Sequence, residues 1–239
     1  MCKIIGLLIS ILIISNCSKD SKFRPDIQYN NTIMPLAVNN YWIYKDLGPL
    51  INRESKIGIT GYNRIIYDNE KRTVFFWNWY NMPEDEPQTV KTLVRNEAEG
   101  LFYYGQQSGS AISDISRILF IKYPVTEGDE WVYADEVTIK CISESTQLPT
   151  ELGYFDCYVY QITPQSEAGY RLISRLLGIN QEKGFKGTEE TYLYYTPEVG
   201  YVGMRVIEDE TVTLLRTLRD FYVQIPEERG SLSDYLVAP

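Results

Sequence analysis

The sequence predicts an all-β protein of antiparallel sheets, a sandwich or a curved half-barrel built from two related units. Three observations carry that expectation. From Ile33 onward Tyr, Trp, Phe, Ile, Val and Thr dominate, with 20 Tyr in 239 residues; these side chains pack well on a pleated surface. Turn-forming clusters interrupt them at short intervals: Asn39-Asn40, Asp68-Asn69-Glu70, Pro83 to Pro87, Glu97 to Gly100, Glu127-Gly128-Asp129 and Pro197 to Gly200. Finally, IMPLAVNNYWIYKD (Ile33 to Asp46) returns as IKYPVTEGDEWVYADE (Ile121 to Glu136).

Taken in order, residues 1–16 read as an export signal. Lys3 supplies a short positive region, and Ile4 to Ile14 is an apolar run too short to cross a bilayer as a helix. Cys17 follows directly, and the stretch resembles the lipobox of bacterial lipoproteins, with Asn16 where they carry Gly, Ala or Ser. The resemblance implies lipidation of Cys17 and membrane attachment through that lipid. A plain secretory signal or an uncleaved anchor helix is the alternative. Residues 17–32 are polar and read as a tether. Residues 33–110 and 122–225 form the first and second β units, and 226–239 loses the pattern and frays. Tyr170 to Asn180 fits a short helix or an irregular strand, and periodicity alone does not decide.

The repeat aligns without a gap. Pro35 falls on Pro124, Asn39 on Gly128, Asn40 on Asp129, Trp42 on Trp131, Tyr44 on Tyr133 and Asp46 on Asp135. Leu101 to Tyr104 also matches Tyr192 to Tyr195, which suggests a duplication with a small insertion. In Trp42-Ile43-Tyr44 the strand period places Trp and Tyr on one face, and the same holds for Trp131 and Tyr133. These four are expected to be repeat core, with a cleft lining as the alternative.

If Cys17 carries lipid, two cysteines remain in the folded part. Cys141 and Cys157 lie eight residues either side of Pro149. A hairpin symmetrical about that residue would set them opposite each other, near enough for a disulfide in an oxidising compartment. Such a bridge would stabilise the fold by about 3 kcal/mol in the chain-entropy model. Two buried free thiols are the alternative.

The net charge is −9, and losing Lys3 with the signal makes it one unit more negative. A surface this acidic argues against nucleic acid as a partner. It also leaves the lipid, not a basic face, as the membrane contact. The chain has no histidine, which removes Ser-His-Asp, Cys-His and His-ligated metal sites. No glycine-rich phosphate loop follows a strand. No catalytic residue, metal ligand or cofactor is therefore assigned. Acidic clusters at Glu84-Asp85-Glu86, at Glu127, Asp129 and Glu130, and at Glu208-Asp209-Glu210 read mainly as solvated turns, with calcium binding or carboxylate catalysis as alternatives. Phe75, Trp77 and Trp79 share one face of an aromatic strand. They are the candidate ligand-binding face, with a central core strand as the alternative.

Pro35-Leu36, Val38-Asn39-Asn40, Trp42 and Tyr44, the second copy at Pro124 to Trp131, the hairpin Gly153 to Cys157, and Tyr194 to Val202 together resemble uncharacterised bacterial lipoproteins. Those carry PLxVGNxWxY, GTFxC and YYxPGVGxV signatures in this order; Asn39 and Glu198 stand here where they have Gly. The resemblance implies an exported lipoprotein, with Ser18 after the lipidated Cys pointing to the outer membrane of a Gram-negative bacterium. It brings no activity with it. Two classes of function follow: a non-catalytic binding or structural module with an envelope glycan, lipid or protein partner, or a carboxylate-based glycan hydrolase. A lipid-carrying half-barrel is a third possibility and would need a continuous apolar cavity.

Overall fold

The computed structural model describes residues 32–49, 51–81, 86–87, 89–113, 115–179, 189–224 and 236–237. The signal, Cys17, the tether to residue 31, Glu84-Asp85 and most of the tail lie outside them. The fold is all-β, with one short helix among the described residues. The first part of the chain gives β1 (Tyr41–Gly48), β2 (Ile51–Tyr67), β3 (Glu70–Asn81), β4 (Glu86–Pro87), β5 (Val90–Glu97), β6 (Gly100–Ser108), β7 (Ala111–Ser113) and β8 (Ile118–Lys122). The second gives β9 (Glu130–Tyr133), β10 (Val137–Thr150), β11 (Gly153–Pro164), α1 (Glu167–Leu176), β12 (Glu189–Thr196), β13 (Gly200–Glu208), β14 (Thr211–Tyr222) and β15 (Leu236–Val237).

One continuous antiparallel sheet runs β7-β6-β5-β3-β2-β1-β14-β13-β12-β11-β10-β9, with β8 paired to β6, β4 to β3 and β15 to β11. The order repeats. The meander β1-β2-β3-β5-β6 continues into β8, and β9-β10-β11-β12-β13 continues into β14, which lies against β1 and links the halves. The sheet curves without closing into a barrel. Rings bridge its far ends, with Phe120 of β8 and Tyr103 of β6 against Tyr133 of β9 at 5.5 and 6.4 Å between centroids.

Local chemistry sets the register. Asp68 and Asn69 both take positive φ (52° and 61°), the conformation that a two-residue hairpin turn demands and that Asn and Asp tolerate. Asp209 and Glu210 do the same between β13 and β14. A bulge between Ile59 and Tyr62 switches faces along β2. Ile57 and Ile59 consequently enter the main core, whereas Ile65 joins a smaller cluster with Val74, Leu93, Phe102 and Tyr104 on the opposite side.

The repeated text folds the same way twice. Asn39 N–H donates to Ile59 O (2.8 Å), Ile59 N–H to Asn40 O (2.8 Å) and Asn40 N–H to Ala37 O (3.0 Å). In the second copy Gly128 N–H donates to Cys141 O (2.8 Å), Cys141 N–H to Asp129 O (2.9 Å) and Asp129 N–H to Thr126 O (3.0 Å). Each copy then docks on the other half. Glu198 N–H, before β13, donates to Thr32 O (2.9 Å), while Tyr123 N–H donates to Glu99 O before β6 (2.9 Å). The glycines of those turns have no room for a Cβ: at Gly200 it would meet Met34 Sδ at 2.7 Å, and at Gly100 Ile121 O at 2.0 Å.

Two sequence expectations change. The match of 101–104 with 192–195 sets β6 beside β12, but the strand in the place of β6 is β13. The difference arises because the second half inserts α1 and its flanks between β11 and β12, which is not a small insertion. The disulfide is absent: Cys141 and Cys157 are buried free thiols. The β10–β11 hairpin turns at Glu151-Leu152, not about Pro149, so Cys141 faces Tyr160 and Cys157 faces Thr146. Burial pushes the Cys157 thiol up to about 12 and raises that of Cys141.

Candidate functional site

The aromatic strand is core. Phe75, Trp77 and Trp79 are all buried, at 7%, 1% and 4% exposure, in the same cluster as Trp42, Tyr44 and Tyr133. They offer no open face, because β3 lies mid-sheet with its inner side turned into the concavity. Trp42 is fully buried and donates to Val199 O (2.7 Å), and Tyr44 donates to Tyr201 O (2.9 Å). Trp131 is only partly buried at the core margin, where it donates to Phe120 O (3.2 Å) and meets Tyr160 edge-on.

Helix α1 occupies the inserted segment, so the ambiguous stretch at 170–180 is helical through Leu176. Ser166 caps it, accepting from Gly169 N–H (3.1 Å) and donating to the Glu136 carboxylate, while Gln165 N–H donates to Glu136 O (2.8 Å). At the other end Gly178 N–H reaches Arg175 O (3.3 Å) and Ile179 N–H reaches Ser174 O (2.8 Å), a Schellman closure. Carbonyls left over at a helix end need donors, and two distant strands supply them. Trp79 Nε1–H donates to Leu176 O (2.9 Å), and Arg216 donates to Leu177 O (2.5 Å) and Gly178 O (3.5 Å).

Arg216 is itself fully buried. It holds Asp46, also fully buried, through two hydrogen bonds of 2.6 and 2.8 Å, and its guanidinium sits 4.6 Å from the Trp79 ring centroid. Burial opposes its charge, but the Asp46 carboxylate outweighs that and holds its pKa above the ordinary range. Ser55 donates to Asp46 as well (3.2 Å). A bidentate pair satisfied on all sides is the one arrangement in which burying two charges is tolerable. It ties β1, β14 and the end of α1 together.

Between these two anchorages a cleft of about 100 Å³ lies beneath the helix. Ile51, Val206 and Leu214 of the sheet and Ile173 of the helix form its apolar walls. Tyr170, Ser174, Glu189 and Glu208 bring polar groups into it. Glu189 and Glu208 are direct register partners across β12 and β13, which places their side chains side by side. Burial raises the Tyr170 phenol, Glu189 and Glu208 push the same way, and Ser174 opposes them. Ser174 is buried, and its side chain opposes that rise through a hydrogen bond with the Tyr170 hydroxyl. Among the described residues no group of three or more His, Cys, Asp or Glu could hold a metal.

Sequence reasoning singled out Glu208 as part of an acidic cluster but missed its neighbours. Arg216 did leave a signal. It sits between Leu214 and Leu218 on the inward period of β14, where a charge is out of place unless paired.

No family model matches the chain, and no curated protein does either. A solved structure from Parabacteroides distasonis ATCC 8503, of a candidate lipoprotein, is similar at 11% identity over 80% of this chain and 99% of that chain, with a TM-score of 0.43. A likeness that remote carries no argument about this chain.

Proposed function

We propose that the chain is an exported, lipid-anchored envelope protein that works as a non-catalytic binding module through the cleft beneath α1. The anchor reading rests on the apolar run Ile4 to Ile14 ending at Cys17. The binding reading rests on one observation: the second unit departs from the shared meander by inserting a helix, fastened at both ends, over a cleft lined by both apolar and polar side chains. Pockets with apolar walls and a few placed polar groups are the usual form of ligand sites.

The glycan hydrolase fits less well. Its two carboxyls must flank a glycosidic bond with sugar on either side, and about 100 Å³ between adjacent glutamates leaves little room for that. A lipid carrier would need a continuous apolar cavity, whereas the concavity is filled by Trp42, Trp77, Tyr195 and Phe155, each below 2% exposure.

Metabolic labelling with a fatty-acid probe tests the anchor. Label is expected on the native chain and lost in Cys17→Ser; equal label on both rejects Cys17 as the acceptor. Fractionation of labelled cells tests outer-membrane placement, and recovery only with the inner membrane contradicts it. For the cleft, fragment screening by amide NMR should move Ile173, Ser174 and Ile179 before any other cluster. Shifts confined to another surface reject the cleft as the binding place.

A further inference from the structure

We propose that the cleft beneath α1 binds the end of an unbranched alkyl chain on a small neutral molecule, selected by fit to apolar walls and not by charge. This rests on the reading of the cleft as the ligand site and adds the chemical class. Three observations specify it. The walls come first. Ile51, Val206 and Leu214 of the sheet, Pro164 at the end of β11, Ile173 of α1 and Ile179 just beyond the helix are all apolar. Sheet and helix thus present hydrocarbon to the same space from both sides.

The polar lining is the second observation. Ser174 is hydrogen-bonded to the Tyr170 hydroxyl, and Thr213 donates to Val206 O (3.4 Å). Tyr170, Glu189 and Glu208 each have interactions within the protein as well. A polar group already partnered gains little from a ligand, whereas apolar surface gains from any hydrocarbon that displaces water from it. Ionised carboxylates only accept hydrogen bonds, so Glu189 and Glu208 offer an anionic head group no donor.

Size is the third observation. An aliphatic cavity of about 150 Å³ stays dry and takes the ring of benzene. By proportion, the space of about 100 Å³ here suits about four carbons. The cleft is preformed, because Ser166 fixes one end of α1 while Trp79 and Arg216 hold the other, and a preformed site need not be ordered by its ligand. A short chain end fits this space; a whole lipid does not.

The test is an amide NMR titration of the mature chain from position 17, carrying Cys17→Ser so that no lipid or detergent competes. The probes are ethanol, n-propanol, n-butanol, n-pentanol and n-hexanol. Saturable shifts at Ile173, Ser174 and Ile179 are expected, with affinity rising about fourfold per methylene as far as butanol or pentanol and levelling beyond. Butyrate should bind clearly more weakly than butanol. Leu214→Phe, which fills the space, should abolish the shifts while circular dichroism stays native, and Ile51→Phe is the second variant should the first unfold. Affinity that ignores chain length, or climbs through hexanol without levelling, overturns the alkyl assignment. Tighter binding of butylammonium or butyrate than of butanol overturns it too, as do cleft shifts from polar fragments alone; in each of these cases the cleft survives as a site. Failure of every alcohol and fragment to move the cleft amides overturns the site reading itself.

Discussion

The two halves of the molecule begin with the same text and the same turn hydrogen bonds, then diverge between their third and fourth strands. In the first half residues 82–89 make that connection; in the second, residues 165–188 do, and they include α1. Aspartates at matching places show the consequence. Asp46 is sealed in the core against Arg216, while Asp135 is exposed in the β9–β10 turn. The same residue at the same step of the repeat is an ionic anchor in one half and a solvated turn in the other. A meander of this kind is a scaffold, and what is inserted into it decides what must be buried.

The sharpest way to break this comparison is at Arg216. Replacing it with Ala should cost about 3–5 kcal/mol in urea unfolding, because Asp46 is left charged and buried and the α1 carbonyls lose their donor. Asp135→Asn, the matching change in the other half, should stay within about 0.5 kcal/mol. Similar costs at both positions would mean that the halves are not differentiated as described. Next come the paired tryptophans. Trp42→Ala should cost about 3–5 kcal/mol, and Trp131→Ala clearly less, since it is only partly buried and sits at the core margin.

Glu97 should make the first half sensitive to acid. Burial favours protonation of Glu97, but the Tyr104 hydroxyl and then Arg117 and Arg72 outweigh it and hold its pKa below the ordinary 4.5. A carboxylate depressed in the folded state adds stability above 4.5, and that stability is lost as pH falls through the folded value. Glu97→Gln should therefore flatten the loss of stability below pH 4.5, and an unchanged acid limb contradicts the cluster. The smallest effect concerns the thiols. With burial raising Cys157 to about 12 and Cys141 in the same direction, both should react with a thiol reagent at neutral pH only after unfolding. Rapid labelling of the native chain, or a bridged pair by mass mapping, contradicts this.

The all-β class was legible because it depends on period and turn chemistry, which are local. Asp68-Asn69 and Pro197 to Gly200 announce their hairpins outright. The register of β10 on β11 was not legible. Glu151-Leu152 is an unremarkable pair for a two-residue turn, while Pro149 looks like the bend and in fact sits in the strand opposite Tyr154. The roles of Phe75, Trp77 and Trp79 were undecidable locally, since an aromatic strand reads alike in mid-sheet or facing a cleft. The site was hidden for another reason. Ser174, Glu189 and Glu208 line one cleft only because the insertion sets α1 against β12 and β13, and no spacing encodes that.

Native-state hydrogen exchange with amide resolution tests the central claim, that α1 is clamped over one half of a repeated sheet, most directly. The amides of Leu177, Gly178 and Ile179 should be as protected as those of β1 and β14 in the native chain. In Arg216→Lys they should exchange at least about tenfold faster, while Asn39, Ile59, Gly128 and Cys141 in the two repeat turns keep their rates. Fast exchange of the helix end in the native chain, or loosening of the repeat turns with the helix end unaffected, would contradict the claim.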